Sequence, residues 1–348
     1  MILLITGATI ALLLSFYLLN EVTDSFFIPS LDQIGARLKM SDDASGATLM
    51  AAGSSAPELF ISIIALIYGG DNFEIGVGTI VGSALFNLLV IIGAVAFVKN
   101  SKVAWQPMLR DLLFYTISIG LLYWAFSSGM ISLLHVALFI GVYIIYVIAV
   151  LNWKKLFHYE RVIIDEEDDE DEPFWKKYFK PLDYVLHKIY PSAEHYFINF
   201  FISILLIALL SWVLVESAVV ISESIGIPKY IIALTVLAFG TSVPDMMSSI
   251  IVAKQGRGGM AISNALGSNI FDILIGLGIP WMVLILMKGV EVNVVGSNIT
   301  NHILILLSSV VGMLTIFLIT KWRVNKFVGG LLLSAYLIYL INIIYQAS

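Results

Sequence analysis

Long apolar runs separated by short polar segments make up most of the chain. Ten runs are long enough to cross a bilayer as α-helices, which need about 20 apolar residues each. They lie roughly at 2–20, 44–69, 75–97, 109–127, 131–151, 199–222, 229–253, 260–286, 300–320 and 325–345. We therefore predict an all-α polytopic membrane protein. The first run has no basic segment before it and no small-residue cleavage site after it, so we interpret it as a retained helix.

The composition agrees with lipid as the main solvent. Of the 348 residues, 59% are hydrophobic and 13% are charged, whereas a soluble domain carries about 25% charged residues. Cysteine is absent, which excludes disulfides and thiolate metal sites. No basic patch alternates with aromatic residues, so we do not expect a nucleic-acid partner. No Walker-type phosphate loop occurs, and we expect neither an organic cofactor nor the use of ATP.

The basic residues predict how the spans are oriented. If the N-terminus lies outside, every Lys and Arg falls in an inner loop except Lys229 and Lys288. Inner loops of membrane proteins carry an excess of basic residues. We therefore expect an integral protein of the plasma (cytoplasmic) membrane with both termini outside and the central loop in the cytoplasm.

The central loop divides the chain into two halves. Residues 1–152 and 199–348 each hold five predicted spans, and residues 153–198 form the only sizeable polar segment. Its eight consecutive acids at 165–172 are typical of a solvated linker. The alternative is a cation sensor, although the run lacks the glycine and the spaced ligands of an EF-hand. As partners we expect the bilayer and transported cations, and no obligatory protein partner is evident.

One motif occurs once in each half. The first copy consists of GSSAPE at 53–58 and GSALFN at 82–87, and the second of GTSVPD at 240–245 and GSNIFD at 267–272. The copies begin in spans two and seven, so an odd number of spans separates them and they enter the membrane in opposite directions. Inverted repeats are typical of secondary transporters, whose ion sites lie near the bilayer midplane. We therefore predict two inverted five-helix repeats with ion sites between helices 2, 3, 7 and 8.

Three acids of this motif lie at bilayer depth, namely Glu58, Asp245 and Asp272. A charged side chain there costs about 2.5–3.5 kcal/mol or more. No Lys or Arg lies at a similar depth in these runs. Their charge must therefore be balanced by protons or by cations that come and go. The alternative is that the acids are structural and permanently protonated.

The residues around these acids supply further oxygen ligands. Pro57 and Pro244 have no N–H group, so each leaves backbone carbonyls free one turn before an acid. Hydroxyl and amide side chains share a helix face with the acids or lie on the facing helices: Ser54, Ser55, Thr241, Ser242, Ser83, Asn87 and Ser268. Oxygen-only ligands select hard cations. Glu58 and Asp245 together carry the charge that matches one Ca2+, and sites with one carboxylate suit Na+ or K+.

Three stretches of this sequence resemble the sodium/calcium exchangers of the cation/Ca2+ exchanger superfamily, and in particular their potassium-dependent branch. They are SDDASGATLMAAGSSAPELFISIIA at 41–65, GVGTIVGSALFNLLVIIG at 76–93 and the region 234–281, which contains GTSVPD and VAKQGRGGMAISNALGSNIFDILIGLGIPW. The resemblance implies a secondary active antiporter that exchanges Na+ for Ca2+ by alternating access. The short central loop departs from the animal members, so their regulation by cytoplasmic Ca2+ is not carried over.

The resemblance also implies roles for the motif residues. Ca2+ would be held by Glu58 and Asp245 with the carbonyls of Ser54 and Thr241. Na+ sites would draw on the same acids and on Ser55, Ser83, Ser242 and Ser268. Asn87 and Asp272 would occupy equivalent places in the two repeats. An acid at the position of Asp272 is tied to K+ use in the potassium-dependent branch, so Asp272 favours K+ transport together with Ca2+ without establishing it.

Three alternatives share some of these features. An H+/Ca2+ antiporter would have the same fold and carboxylates, but the many hydroxyl groups favour Na+. An intramembrane aspartyl protease would use Asp245 and Asp272 as its catalytic pair, but its GxGD motif is absent and Glu58 would have no role. A channel fits the inverted repeat less well than alternating access does. We therefore predict a transporter rather than an enzyme.

Overall fold

The computed structural model describes residues 2–37, 48–49, 51–68, 73–98, 101–157, 184, 186–254, 256 and 258–347. Among these residues, eight helices are long and apolar enough to cross a membrane, and two further apolar helices, Ala56–Tyr68 and Lys229–Thr241, are shorter. The prediction of an all-α membrane protein is confirmed. The predicted runs 44–69 and 229–253 differ from the other eight in being broken, by turns at Ser55 and Ser242.

Among the described residues of the first half there are eight α-helices: α1 (Ile2–Val22), α2 (Ile28–Arg37), α3 (Ala51–Ser54), α4 (Ala56–Tyr68), α5 (Phe73–Phe86), α6 (Ile92–Val98), α7 (Trp105–Ser127) and α8 (Leu133–Leu156). π-Helical turns Thr23–Phe27 and Asn87–Ile91 join α1 to α2 and α5 to α6. The sequence predicted a short connection from residue 26 to residue 39. The chain instead continues as a helix to Arg37, because its apolar positions repeat with helical period.

The described part of the second half also holds eight α-helices: α9 (Tyr196–Ile225), α10 (Lys229–Ile232), α11 (Ala238–Thr241), α12 (Val243–Lys254), α13 (Gly258–Phe271), α14 (Gly278–Lys288), α15 (Thr300–Ile319) and α16 (Lys326–Ala347). π-Helical turns Ala233–Leu237 and Asp272–Leu277 join α10 to α11 and α13 to α14. A 3-10 turn, Ala193–His195, precedes α9. The acidic run at 165–172 lies outside the described residues.

Two short antiparallel ribbons join the halves. Strand β1 (Ser101–Lys102) pairs with β4 (Arg323–Val324), and β2 (Met130–Ile131) pairs with β3 (Val292–Asn293). Each ribbon therefore ties a loop of the first half to a loop of the second half.

The predicted second span breaks at Ser55. The Ser55 amide donates to the Ala51 carbonyl at 3.1 Å, and the Leu59 amide donates to the Ser55 carbonyl at 3.2 Å. Pro57 is the second residue of the helix that follows. Proline is tolerated there because a residue in the first turn of a helix needs no N–H donor.

The predicted seventh span breaks in the same way at Ser242, 187 positions later. The Ser242 amide donates to the Ala238 carbonyl at 3.2 Å, and the Met246 amide donates to the Ser242 carbonyl at 3.0 Å. The equivalent proline is Pro244, the second residue of α12. The two copies of the motif therefore fold alike.

The helices that carry the motif lie at the centre of the protein. Span Phe73–Val98, formed by α5 and α6, is the most enclosed of the eight long spans. Its glycines let the neighbouring chain approach closely, as is common in membrane proteins. A Cβ atom at Gly82 would lie 2.5 Å from the Leu234 carbonyl oxygen, and one at Gly78 would lie 2.9 Å from the Ala233 Cβ. The π-helical turn Ala233–Leu237 thus packs directly against α5.

Candidate cation-binding site

The structure brings the predicted site residues together in its interior. They lie at the helix breaks, on α5 and α13, and at the first residue of two π-helical turns. Every one of them is at most 1% exposed: Ser54, Ser55, Glu58, Ser83, Asn87, Thr241, Ser242, Asp245, Ser268 and Asp272. Asn87 and Asp272 begin equivalent π-helical turns, 185 positions apart. Such turns widen a helix locally and are frequent at functional sites.

Each first acid accepts a hydrogen bond from a serine of its own half. The Ser83 hydroxyl donates to Glu58 Oε1 at 3.4 Å, and the Ser268 hydroxyl donates to Asp245 Oδ1 at 3.3 Å. These two contacts are equivalent under the sequence repeat. They connect the broken helix of each half to the helix that follows it.

Hydroxyl groups also connect the two halves. Ser83 Oγ lies 2.7 Å from Ser242 Oγ, and Ser54 Oγ lies 3.3 Å from Ser268 Oγ. Four hydroxyls thus lie between the two acids. Hydroxyl oxygens can accept a cation or donate to a carboxylate, because the hydroxyl hydrogen rotates to suit its partner. The arrangement therefore accommodates both a cation-filled and a cation-free site.

The site is not symmetric, because the halves differ at Asn87 and Asp272. The Asn87 amide donates to Asp245 Oδ2 at 3.0 Å and to Asn269 Oδ1 at 3.0 Å. Asp272, at the equivalent position, has an acid group in place of that amide. Neither of its oxygens has a hydrogen-bond partner among the described residues, and the same holds for Glu58 Oε2. The Asn87 amide thus supports Asp245, whereas no side-chain amide of the described residues donates to Glu58, which accepts from the Ser83 hydroxyl.

Several buried oxygens of this cluster have no hydrogen-bond partner in the described part of the chain. Glu58, Asp245 and Asp272 lie close enough for their charges to interact. Ser55 Oγ is a further buried oxygen without a partner in the described part of the chain. Buried polar groups are normally paired, and carboxylates most of all. In the described ranges, no three acids or histidines form a ready-made metal cage, so the ligands on offer are carboxylates mixed with neutral oxygens.

Thr241 and Ser54 use their hydroxyls differently from the other site residues. The Thr241 hydroxyl donates to the Leu237 carbonyl of its own helix at 3.1 Å. The Ser54 hydroxyl lies 3.3 Å from the Ala51 carbonyl of its own helix. Both residues immediately precede a helix break. Each hydroxyl also lies beside the first acid of the other half, Thr241 beside Glu58 and Ser54 beside Asp245.

Asn269 and Tyr115 adjoin the site, and our sequence analysis gave them no role. The Asn269 amide donates to the Tyr115 hydroxyl at 3.0 Å and to the Ala84 carbonyl at 3.1 Å. Asn269 stands inside the repeated motif, where the first copy has Ala84. This difference between the two copies of the motif is the feature of the sequence that could have pointed to Asn269. Asn269 fixes the Asn87 side chain, which in turn supports Asp245.

A second buried polar cluster surrounds Asp111 and contacts α13. It was not predicted from the sequence. Arg110, which we expected in a loop, is 3% exposed and lies on α7, where its Nε is 2.8 Å from Asp111 Oδ1. The Tyr146 hydroxyl donates to the same oxygen at 3.2 Å, and the Ser263 hydroxyl donates to Asp111 Oδ2. Asp111 therefore ties α7 and α8 to α13, the helix that carries Ser268.

The family described as "Sodium/calcium exchanger protein" matches residues 8–152 and 195–345. The chain belongs to this family. Its curated relatives include the chicken (Gallus gallus) sodium/potassium/calcium exchanger 2, which is 28% identical over 95% of this chain and 76% of the relative. The human sodium/potassium/calcium exchanger 5 is 29% identical over 92% of this chain and 79% of the relative. The expected resemblance to the potassium-dependent branch is confirmed.

Solved structures of exchangers have the same fold as this chain. A crystal structure of an H+/Ca2+ exchanger superimposes with a TM-score of 0.73 at 12% identity, covering 98% of this chain and 84% of the other. The sodium-calcium exchanger NCX_Mj, soaked with Na+ and Sr2+, superimposes with a TM-score of 0.61 at 22% identity, covering 98% and 99%. The relatives are transporters, so the prediction that this chain is not an enzyme is confirmed and the protease alternative falls.

Proposed function

We propose that this protein is a secondary active antiporter that exchanges Na+ for Ca2+ by alternating access. The observation that carries the proposal is the set of unpartnered buried oxygens of Glu58, Asp272 and Ser55 beside the paired Asp245. Buried acids without a basic partner need a counter-charge. Because the relatives are named sodium/potassium/calcium exchangers, transported cations supply that charge in our proposal.

Ca2+ is proposed to bind between Glu58 and Asp245, with the carbonyls of Ser54 and Thr241 as further ligands. Two carboxylates neutralise one divalent ion, and Ca2+ takes six to eight oxygens in flexible geometry. The bridging hydroxyls of Ser83 and Ser268 hold the two acids in place. When an ion enters, these hydroxyls can rotate away from the carboxylates and leave their oxygens to the ion.

Na+ is proposed to use the same acids together with the hydroxyls of Ser55, Ser83, Ser242 and Ser268. Hydroxyl oxygens are neutral, so each such position needs only one shared carboxylate to bind a monovalent ion. Because Na+ and Ca2+ then compete for the same acids, occupancy by one ion excludes the other. A site that is open alternately to each side converts this competition into exchange.

K+ is proposed as an additional ion transported with Ca2+ and bound near Asp272. Both Asp272 oxygens lack hydrogen-bond partners within the described ranges, and the equivalent Asn87 is neutral. The asymmetry therefore places one extra negative charge on one side of the Ca2+ position. An ion with one positive charge balances it.

H+/Ca2+ antiport is the second candidate. Its support is the superposition on an H+/Ca2+ exchanger structure with a TM-score of 0.73, which concerns the fold alone. Three neighbouring buried carboxyl groups are also able to carry protons. The hydroxyl bridges between the halves favour Na+, because a proton carrier has no need of additional oxygen ligands.

We also propose the repeats, the membrane topology and the partners that the sequence predicts. We propose that residues 1–152 and 199–348 are inverted five-helix repeats and that residues 153–198 form a cytoplasmic loop. Both termini then lie outside the plasma (cytoplasmic) membrane. The proposed partners are the lipid bilayer and the transported cations Na+, Ca2+ and K+, with no organic cofactor.

The test is 45Ca2+ uptake into proteoliposomes loaded with Na+, with external K+ present or replaced by choline. Uptake that requires internal Na+ supports the proposal, and a further requirement for K+ supports its transport with Ca2+. A second set of vesicles carries a pH gradient and no Na+. Uptake driven only by that gradient would assign the protein to the H+/Ca2+ antiporters, and no uptake in either set would overturn the proposed function.

A further inference from the structure

Asn264 is a buried polar residue that the proposed ion sites do not use. It lies on α13 and is 2% exposed. Neither its Oδ1 nor its Nδ2 has a hydrogen-bond partner in the described part of the chain. A buried amide left without partners is destabilising, and such groups are rare in native proteins. Asn264 therefore needs an explanation outside the packing of the helices.

Two hydrogen bonds between α12 and α13 show where Asn264 lies along α13 relative to the site. The antiparallel helices α12 and α13 meet where Ser268 donates to Asp245 Oδ1 at 3.3 Å and where Ser249 donates to the Ala261 carbonyl at 3.4 Å. Asn264 lies between these two contacts. It precedes Ser268 by four residues, so both side chains project from one face of α13. Asn264 is thus one helical turn from the site, toward the end of α13 that begins at Gly258.

The equivalent residue in the first half differs in its bonding. Thr79 stands 185 positions earlier and is fully buried. Its hydroxyl donates to the Ile75 carbonyl of its own helix at 2.7 Å. A polar side chain at this level can therefore find a partner within its own helix. In the second half, by contrast, both polar atoms of Asn264 lack a partner among the described residues, one turn from the site.

We propose that Asn264 is a transit ligand that binds Na+ or Ca2+ on its way between the site and the membrane side on which α13 begins. The inference rests on the proposed function and adds a residue to it. The Asn264 amide oxygen and the nearby Ser249 hydroxyl are neutral ligands, and cation affinity rises with the charge of the ligand set. A neutral position therefore binds a partly hydrated cation weakly. Weak binding lets the cation move on to or from the main site instead of remaining at Asn264.

The experiment compares three variants in the full-length protein. Asn264→Leu removes both polar atoms at nearly constant size, Asn264→Asp adds a charge at constant shape, and Thr79→Val is the matched control in the other half. For each, 45Ca2+ exchange in proteoliposomes gives the maximal rate and the half-saturating Ca2+ concentration. Thermal stabilisation of the detergent-solubilised protein by Ca2+ reports binding at the main site, independently of transport.

For Asn264→Leu we expect the maximal rate to fall about fivefold or more, since one favourable polar contact to the passing ion is lost. Stabilisation by Ca2+ should be unchanged. For Asn264→Asp we expect a lower half-saturating Ca2+ concentration together with a slower maximal rate, because the charged position retains the ion. Thr79→Val should behave as the wild type, because its hydroxyl serves its own helix.

Wild-type rates and half-saturation in both Asn264 variants would overturn the inference, and so would an equal loss in Thr79→Val. If Asn264→Leu does not fold, the opposite changes in affinity and rate expected for Asn264→Asp still decide the question. Failure of the proposed function is distinguishable from these outcomes. In that case the wild-type protein itself would show no cation-driven Ca2+ exchange.

Discussion

The Asn269 side chain donates a hydrogen bond to the backbone carbonyl of Ala84, the residue at its own position in the other half, at 3.1 Å. Equivalent residues that touch one another mark the place where the two repeats meet. The contact lies within the site, because Asn269 also accepts from Asn87. The two halves therefore meet among the candidate site residues.

The two strand ribbons are also related by the repeat. Strand β3 follows β1 by 191 positions, and β4 follows β2 by 193. Pairing β1 with β4 and β2 with β3 is thus one arrangement used twice, with the halves exchanged. These ribbons and the contact at Asn269 add to the helix packing that joins the two halves.

Neutralising either first acid is expected to abolish Ca2+ exchange. Glu58→Gln or Asp245→Asn removes one of the two charges that balance Ca2+, and cation affinity falls by about two orders of magnitude or more with such a loss of ligand charge. The measurement is 45Ca2+ uptake into Na+-loaded proteoliposomes. Glu74→Gln is the control, because Glu74 binds Ser297 and the backbone of Asn298 away from the site. Wild-type uptake by both site variants would contradict the assignment.

Asn87 and Asp272 occupy the same position in the two repeats. Exchanging these two residues tests whether the repeats are equivalent there. Asn87→Asp removes the donor to Asp245 and adds a charge beside it, so Ca2+ exchange should fall by about tenfold, the effect of losing a charge-assisted hydrogen bond. Asp272→Asn alone should remove any K+ requirement. The double variant keeps the net charge and offers a donor to Glu58 instead. It should recover Ca2+ exchange relative to Asn87→Asp.

The measurement for this series is the K+ dependence and the half-saturating Ca2+ concentration of each variant. A double variant no better than Asn87→Asp would show that the halves are not interchangeable at this position. An unchanged K+ requirement in Asp272→Asn would remove Asp272 from K+ binding.

Gly82→Ala is expected to destabilise the protein by separating α5 from the π-helical turn at Leu234. The added Cβ would lie 2.5 Å from the Leu234 carbonyl oxygen, which is backbone and cannot rotate away. Overpacking of this kind costs about 1–3 kcal/mol. Thermal unfolding in detergent measures it. Gly120→Ala is the control, since nothing lies within 4 Å of that position and alanine favours a helix by up to about 1 kcal/mol.

Removing Asp111 is expected to cost far more than removing an exposed ion-pair partner. Asp111→Ala leaves the buried Arg110 charge uncompensated, a change of about 3–5 kcal/mol. Glu223→Ala breaks the 3.2 Å pair with Lys229, in which Glu223 is 63% exposed, and should have little effect. Both are compared by their unfolding temperatures. Equal shifts would mean that the buried cluster does not stabilise the protein.

The sequence by itself determined the class of protein and the family, and it predicted the candidate residues of the site. Apolar runs of spanning length specify membrane helices because lipid offers the backbone no hydrogen bonds. Acids such as Glu58 and Asp245 within those runs mark function because burying charge is costly. The repeated motif revealed that both acids belong to equivalent structures. All of these signals are local, so no tertiary information was needed to read them.

Only the tertiary structure decided how the site residues pair. Spacing along the chain shows which side chains share a helix face, but not which helices cross or how closely. The approach at Gly82, the break at Ser55 and the π-helical turn at Asn87 set those distances. They determine that Asn87 supports Asp245, while Asp272 and Asn264 have no such partners among the residues that the structure describes. Hydrogen bonds between helices depend on angle and separation within tenths of an ångström, and those arise from the packing of the whole chain.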